Sequence, residues 1–292
     1  LSSLSTRDYR PLTSLCDGLL EYCDPRNINL NLPSLRADGF SMGIMQRLQR
    51  ARKTSITFAP EAGTQRLRDT INKNVTEQDL LQSCRTAFEG GGNAVKLYFM
   101  LGLPTETDED VLGIADLAEK VYQTWKEVTP NPKRGVTITV STAWFVPKPH
   151  TAFQWEPQIS MEEYLRRGKL LRGHLKGRSI KYNWHEADVS VLEGVLARGD
   201  RKLSQVLLYV YNKGCFYDAW SEYFHNDVWM EAFEACGLDP DFYSHRERPL
   251  DEILPWDFLD CGVSRAFLER EWQKAKNETI SPNCKQACQG CG

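Results

Sequence analysis

Short β-like runs alternate with amphipathic helical stretches through the first half of the chain, and this alternation constrains the fold more than any other feature. The strand candidates are Leu1–Ser5, Ile28–Leu32, Ile56–Ala59, Val95–Leu101 and Val136–Thr142. Between them lie helical patterns at Leu12–Tyr22, Met42–Arg52, Thr64–Ile71 with Glu77–Phe88, and Asp108–Trp125. Such an order predicts an α/β fold: a parallel sheet whose crossovers are right-handed helices. Local punctuation agrees. Thr76 with Glu77 and Asp79 reads as a helix start, and Gly90-Gly91-Gly92 ends that helix before the next strand. Asp17-Gly18 is the exception, because it interrupts a helical pattern. The unbroken run from Lys96 to Leu101 suits a strand buried on both faces.

The second half reads differently. Val146–Pro157 is a proline-rich, non-helical crossing, followed by a helix near Met161–Leu175 and a strand at Ile180–Trp184. From Glu186 the pattern is helical. Val189, Leu192, Val195 and Leu196 form one stripe, and Leu203–Tyr211 and Val228–Ala235 form others. This places a domain of barrel-like strands and loops at residues 1–157 and a mainly helical region, ending in a cysteine-rich tail, at 158–292. The boundary falls softly within 158–185.

Composition removes several classes of function. A formal charge of −3 over 292 residues leaves no basic footprint for nucleic acid. No apolar run reaches the roughly 18 residues of a membrane span. The chain opens on Leu1 without a signal segment or an initiator Met, so a fragment of a longer protein is expected. Nine cysteines without a secretion signal point to reduced thiols in the cytoplasm. Cys16, Cys23, Cys84, Cys215, Cys236 and Cys261 are scattered among apolar segments and read as small buried hydrophobes.

Three segments that follow strands carry chemistry. In Ile56-Thr-Phe-Ala-Pro-Glu61-Ala-Gly63-Thr64-Gln-Arg66, a carboxylate stands at the C-terminal end of a strand, where ligands collect in parallel α/β folds. Glu61 could accept hydrogen bonds from ribose hydroxyls, Gly63 allows close backbone approach, and Thr64 can cap the next helix. A solvated glutamate beside an ordinary N-cap is the competing account. Lys96–Leu101 ends in Gly102-Leu-Pro104-Thr-Glu106-Thr107, where Gly102 would let a flat ligand approach the backbone. A plain strand–turn–helix junction capped by Thr107 explains the same residues. Phe145-Val-Pro147-Lys148-Pro149-His150 is stiffened by its prolines, and its amides and carbonyls could read an adenine edge; Lys148 and His150 would otherwise be surface groups. His185, between acidic groups at the end of a strand, is read as part of a helix start, with a general base or metal ligand as the alternative.

Taken in this order, the three segments resemble the S-adenosylmethionine (SAM)-binding half of the radical SAM superfamily. Ser2–Tyr9, Leu32-Pro33-Ser34-Leu35-Arg36, Asn72-Lys73-Asn74, Ala197-Arg198-Gly199-Asp200-Arg201 and Leu254-Pro255-Trp256-Asp257 are similar to its cobalamin-linked bacterial members. The resemblance implies a partial (β/α) barrel of which about five strands are present. It implies SAM and a [4Fe–4S] cluster as cofactors, with cobalamin held by a region absent from this chain and able to contact it. Residue by residue, it implies Glu61 at the SAM ribose, with Gly63 and Thr64 shaping that loop and Arg66 near the methionine carboxylate. Gly102 and Pro104 would line the adenine side, with Lys148 and Pro149 in the last loop. The activity implied is formation of a 5′-deoxyadenosyl radical that acts on a substrate the sequence does not identify. An RNA-modifying methylthiotransferase is the alternative enzyme, and a non-catalytic module with a structural zinc tail is the alternative outside enzymes. The expected barrel motif Cys-x-x-x-Cys-x-x-Cys does not precede these loops; with a fragment, it would lie in the missing part.

A Cys-x-x-x-Cys-x-x-Cys spacing does close the chain, as Cys284, Cys288 and Cys291. Three thiolates so spaced can bind an auxiliary Fe–S centre, with Gly290 and Gly292 easing the wrap of the backbone. A structural zinc site would need a fourth ligand from elsewhere, and free thiols in a flexible tail are the third reading.

Overall fold

The computed structural model describes Tyr9, residues 11–28, Leu30, residues 56–284 and residues 286–292. The strand expected at Leu1–Ser5 and the helix expected at Met42–Arg52 lie outside the described residues, as does most of Ile28–Leu32; Ile28 and Leu30 themselves are in no strand. The helix expected at Leu12–Tyr22 is α1, Leu12–Cys23, and it runs through Asp17-Gly18 without a break.

The chain divides into two compact units. The first comprises residues 1–101, 106–143 and 167–184, and the second residues 102–105, 144–166 and 185–292. The described sheet has four strands, β1 (Ile56–Glu61), β2 (Ala94–Leu101), β3 (Thr137–Trp144) and β4 (Ile180–Trp184), in that order and parallel. Sequential order with parallel pairing is what helical crossovers produce. β1 pairs Ile56 with Val95 and Phe58 with Leu97, then shifts register before Glu61 meets Phe99. That irregularity sets the end of β1 apart from a regular strand.

Burial along β2 alternates. Val95, Leu97, Phe99 and Leu101 are buried, whereas Lys96 and Tyr98 are exposed. The apolar run read as a strand buried on both faces is therefore half exposed: Tyr98 and Lys96 tolerate water, and only the other face is packed.

Helices α2 (Gln65–Thr70), α3 (Glu77–Glu89) and α4 (Asp108–Val128) complete the first unit. Both α3 and α4 start with a capping box, Thr76 with Asp79 and Thr107 with Asp110, so the threonines fix the starts as the sequence predicts. The two helices are joined by ion pairs Lys120–Glu77 at 2.7 Å and Arg85–Glu127 at 2.6 Å. Their apolar faces (Leu80 and Phe88; Val111, Ile114, Leu117 and Val121) are buried with Phe58, Leu97 and Phe99.

The second unit is mainly helical. Helix α5 (Met161–His174) begins in it, and α6 (Ala187–Arg198), α7 (Leu203–Asn212), α8 (Asn226–Ala235), α9 (Pro240–Ser244) and α10 (Arg265–Lys276) lie within it. One cluster packs Leu192, Val195, Val206, Val210, Trp229 and Phe233, and another packs Trp155, Leu254, Trp256, Leu268 and Trp272. Trp229 and Trp256 are thus core residues, while Trp220 and Tyr223 are exposed. Arg198 is fully buried at the end of α6, donating to the Ser244 carbonyl at 3.1 Å. Burial, followed by the nearby Arg248 and Arg246 charges, brings its pKa down to about 10. Among the described residues no helix is long and apolar enough to cross a membrane.

Candidate functional site

The loop after β1 is built by residues on both sides of it. Glu61, the last residue of β1, has φ 69, a left-handed conformation that costs a non-glycine residue about 1–3 kcal/mol. Its carboxylate takes an ion pair from Lys73 at 2.9 Å, and a quarter of its side chain remains exposed. Next, Gly63 is forced by packing: a Cβ there would lie 2.3 Å from the Asp110 carbonyl oxygen and 2.4 Å from the Ile114 nitrogen. The close approach that Gly63 permits is therefore to the backbone of α4. Thr64 is the N-cap of α2, accepting from the Leu67 N–H at 3.2 Å, as its position in the sequence predicts.

Asp110, two per cent exposed, is the hub beneath this loop. Its carboxylate accepts from the Thr64 hydroxyl and from the Arg66 guanidinium. It also accepts from the Thr107 N–H and hydroxyl, both at 2.8 Å. Burial by itself would raise the Asp110 pKa; these hydrogen bonds outweigh it and hold the carboxyl below its ordinary value. One charged side chain thereby ties the starts of α2 and α4 together. Arg68, one per cent exposed, braces the loop from its other side through the Ala62 carbonyl at 2.9 Å and the Gly63 carbonyl at 3.3 Å. Burial lowers the Arg68 pKa, with Glu77 and Asp69 acting against that shift.

Glu106, the acid at the end of the second segment, is also buried and pairs with Arg167 at 2.5 Å. Neither Asp110 nor Arg68 nor Arg167 stands out in the sequence. Their partners lie up to 61 residues away, and no local pattern signals such pairs. The nearest available clue was the capping box at Thr107, which names Asp110 as its third helical residue.

The remaining candidates belong to the second unit. Gly102 has φ 87, and a Cβ on it would meet Ile159 at 2.8 Å, so the face read as open to a flat ligand is occupied by an isoleucine. Pro104 is half-buried in the turn that follows. Lys148 pairs with Glu193 at 2.5 Å, and Pro149 precedes His150, which has φ 56. His185 is exposed just before α6, whose N-cap, Glu186, makes no side-chain capping bond. Cys284, Cys288 and Cys291 are exposed, as is Cys261, which the sequence reading had placed among the buried thiols. Among the described residues no group of three or more His, Cys, Asp or Glu side chains stands ready around one metal position.

The loop after β1, α2 and the start of α4 lie within one stretch that matches a known family. Residues 7–118 match the Radical SAM superfamily. In general the Radical SAM superfamily implies SAM and a [4Fe–4S] cluster as cofactors. The chain is also 34% identical over 235 residues to Uncharacterized protein MJ0966 of Methanocaldococcus jannaschii, a match covering 80% of this chain and 48% of that protein. It therefore spans about half the length of that relative. Among solved structures, Proteus mirabilis N-acetylneuraminate lyase aligns at 10% identity, covering 90% of this chain and 92% of its own, with a TM-score of 0.26. A likeness that weak carries no argument about fold or activity.

Proposed function

We propose that this chain is the SAM-binding portion of a radical SAM enzyme, and that Glu61 meets the ribose of the cofactor. One observation carries the assignment: within the matched residues 7–118, a glutamate at the C-terminal end of β1 is held in a strained left-handed backbone with its carboxylate partly open to solvent. Strain of this kind survives only where the surroundings over-determine it, and it clusters at functional sites. The donor chemistry fits, since an ionised carboxylate is an acceptor only and suits a vicinal diol.

A bound [4Fe–4S] cluster would supply the single electron for reductive cleavage of SAM, the route to a 5′-deoxyadenosyl radical. The residues of this chain bind and orient. Glu61 accepts from the ribose hydroxyls, and the ion pair with Lys73 orients its carboxylate. Thr64, Asp110 and Arg68 keep the loop rigid, so the ribose is held without further ordering of the backbone. Arg66, in the first turn of α2, stands near the methionine carboxylate in this reading while Asp110 anchors its guanidinium. Gly102, Pro104, Lys148 and Pro149 belong to the second unit, and the assignment does not depend on them. Cys284, Cys288 and Cys291 are read as a metal-binding triplet separate from SAM cleavage. The same reading extends to a cobalamin-binding region elsewhere in a longer cytoplasmic protein.

The test uses the full-length protein, reconstituted anaerobically with iron and sulfide, reduced, and given SAM. Formation of 5′-deoxyadenosine, measured by chromatography, is the expected result. A cluster-loaded, reduced protein that leaves SAM intact contradicts the proposal.

A further inference from the structure

Arg198 closes α6 in the interior of the second unit, where it is fully buried. Its Nη1 donates to the Ser244 carbonyl at 3.1 Å. Its Nε and Nη2, the two donors along one edge of the guanidinium, have no hydrogen-bond partner among the described residues. That edge is a fork on which arginine binds two oxygens of one anion. A buried donor without an acceptor costs stability, and native interiors leave few of them. Arg68 at Nε and Trp229 at Nε1 lack a partner for one donor each, whereas Arg198 lacks partners for both donors of a fork.

A second buried arginine stands beside it. Arg248, 3% exposed, donates through Nη2 to the Arg198 carbonyl at 3.0 Å and to the Tyr243 carbonyl at 3.4 Å. The two guanidinium groups thus dock on the consecutive carbonyls of Tyr243 and Ser244 at the end of α9, which brings them together. Arg248 Nε is also without a partner among the described residues. Charge is as unbalanced as hydrogen bonding. Glu252 binds Arg246 through both oxygens, at 2.7 and 2.5 Å, and reaches Arg248 only at 3.6 Å. Glu156 acts on Arg198 and Asp200 on Arg248 through space. Both carboxylates are engaged elsewhere, Glu156 by the Trp272 indole N–H at 2.6 Å and Asp200 by the Lys202 N–H at 2.9 Å. With its pKa at about 10, Arg198 remains charged at neutral pH.

We propose that the Nε–Nη2 edge of Arg198, with Arg248 beside it, binds one small oxyanion, a carboxylate or phosphate group, inside the second unit. The anion supplies the paired acceptors that the fork lacks and the negative charge that the arginine cluster lacks. Chloride offers the charge without the paired oxygens. Arg246 and Glu252, with side chains 28% and 23% exposed, form the outer layer of the cluster, and the anion enters as that pair parts. Binding makes no covalent bond and does not depend on the role given to Glu61.

Hydrogen exchange of the full-length protein, followed on peptides covering residues 189–200 and 240–256, tests the site. Potassium chloride is replaced stepwise by potassium formate or potassium phosphate at constant ionic strength and pH. An anion at ten times its dissociation constant is expected to slow exchange there about tenfold. A response to formate alone assigns the fork to a carboxylate, and a response to phosphate alone assigns it to a phosphate group. Arg198→Lys keeps the charge and loses the fork, so it should need about tenfold more anion or beyond for the same slowing. Arg198→Met, which loses both, should show none. Wild-type exchange that is the same in all three salts overturns the proposal, and the fork then holds only water. An undiminished response in Arg198→Met or Arg198→Lys places the anion elsewhere and overturns it as well.

Discussion

Replacing Asp110 with alanine removes the one carboxylate that joins the loop after β1 to the start of α4. The cost follows from what is left behind. Loss of the capping box with Thr107 costs about 0.5–2 kcal/mol. The Thr64 hydroxyl loses its charged acceptor, a bond of the class worth about 1.5–3 kcal/mol. Arg66 adds less, no more than about 1 kcal/mol, because its side chain is 32% exposed and water replaces the lost partner. These terms share one carboxylate and do not add fully, so Asp110→Ala is expected to destabilise the first unit by about 3 kcal/mol. Hydrogen exchange on peptides covering residues 62–70 and 105–112 reads this locally, free of unfolding in the second unit. The pH dependence gives a second check. The depressed Asp110 pKa means that its stabilisation is fully present above the ordinary carboxylate range and is lost as pH falls through the folded value. The difference between wild type and Asp110→Asn should therefore shrink on acidification. A penalty below about 1 kcal/mol, or one that grows in acid, refutes the role given to Asp110.

Further expectations follow from single positions. Gly63→Ala places a methyl against the α4 backbone, which cannot yield, and should cost about 3 kcal/mol or more by chemical denaturation; a loss under about 1 kcal/mol would mean the loop is not clamped there. Glu61→Gly relieves the left-handed strain and loses only a partly exposed ion pair, so stability should hold or rise by up to about 1 kcal/mol while SAM binding weakens. Arg198→Met removes a buried charge crowded by Arg248 and Arg246 and leaves Glu252 paired with both of them. It should be close to neutral, within about 1.5 kcal/mol. Because the folded Arg198 pKa lies below its unfolded value, the wild type should gain stability relative to Arg198→Met as pH rises through about 10, and a relative loss there contradicts the assignment.

Elements with a local signal were legible in the sequence. Thr76 and Thr107 mark helix starts because their caps are made within three residues. The alternation of strand and helix set the parallel order of β1, β2 and β3, and Ile180–Trp184 is the fourth described strand. What the pattern could not show is who meets whom over distance. Gly63 reads as freedom for a ligand but is occupied by α4, 47 residues onward from the glycine to Asp110. Gly102 reads as an open face but lies under Ile159, for the same reason. Cys261 reads as a buried thiol because it is isolated in the sequence, yet it is exposed. Glu61 was visible as chemistry, and its strained backbone was not.

The central claim is that Glu61 holds the ribose of SAM. Titration calorimetry of SAM into the anaerobically reconstituted full-length protein, wild type against Glu61→Gln, tests it most directly. Exchanging a charged acceptor for a neutral one, at about 1.5–3 kcal/mol, predicts affinity weaker by about tenfold or more with the fold intact. An unchanged affinity for SAM in Glu61→Gln contradicts the account.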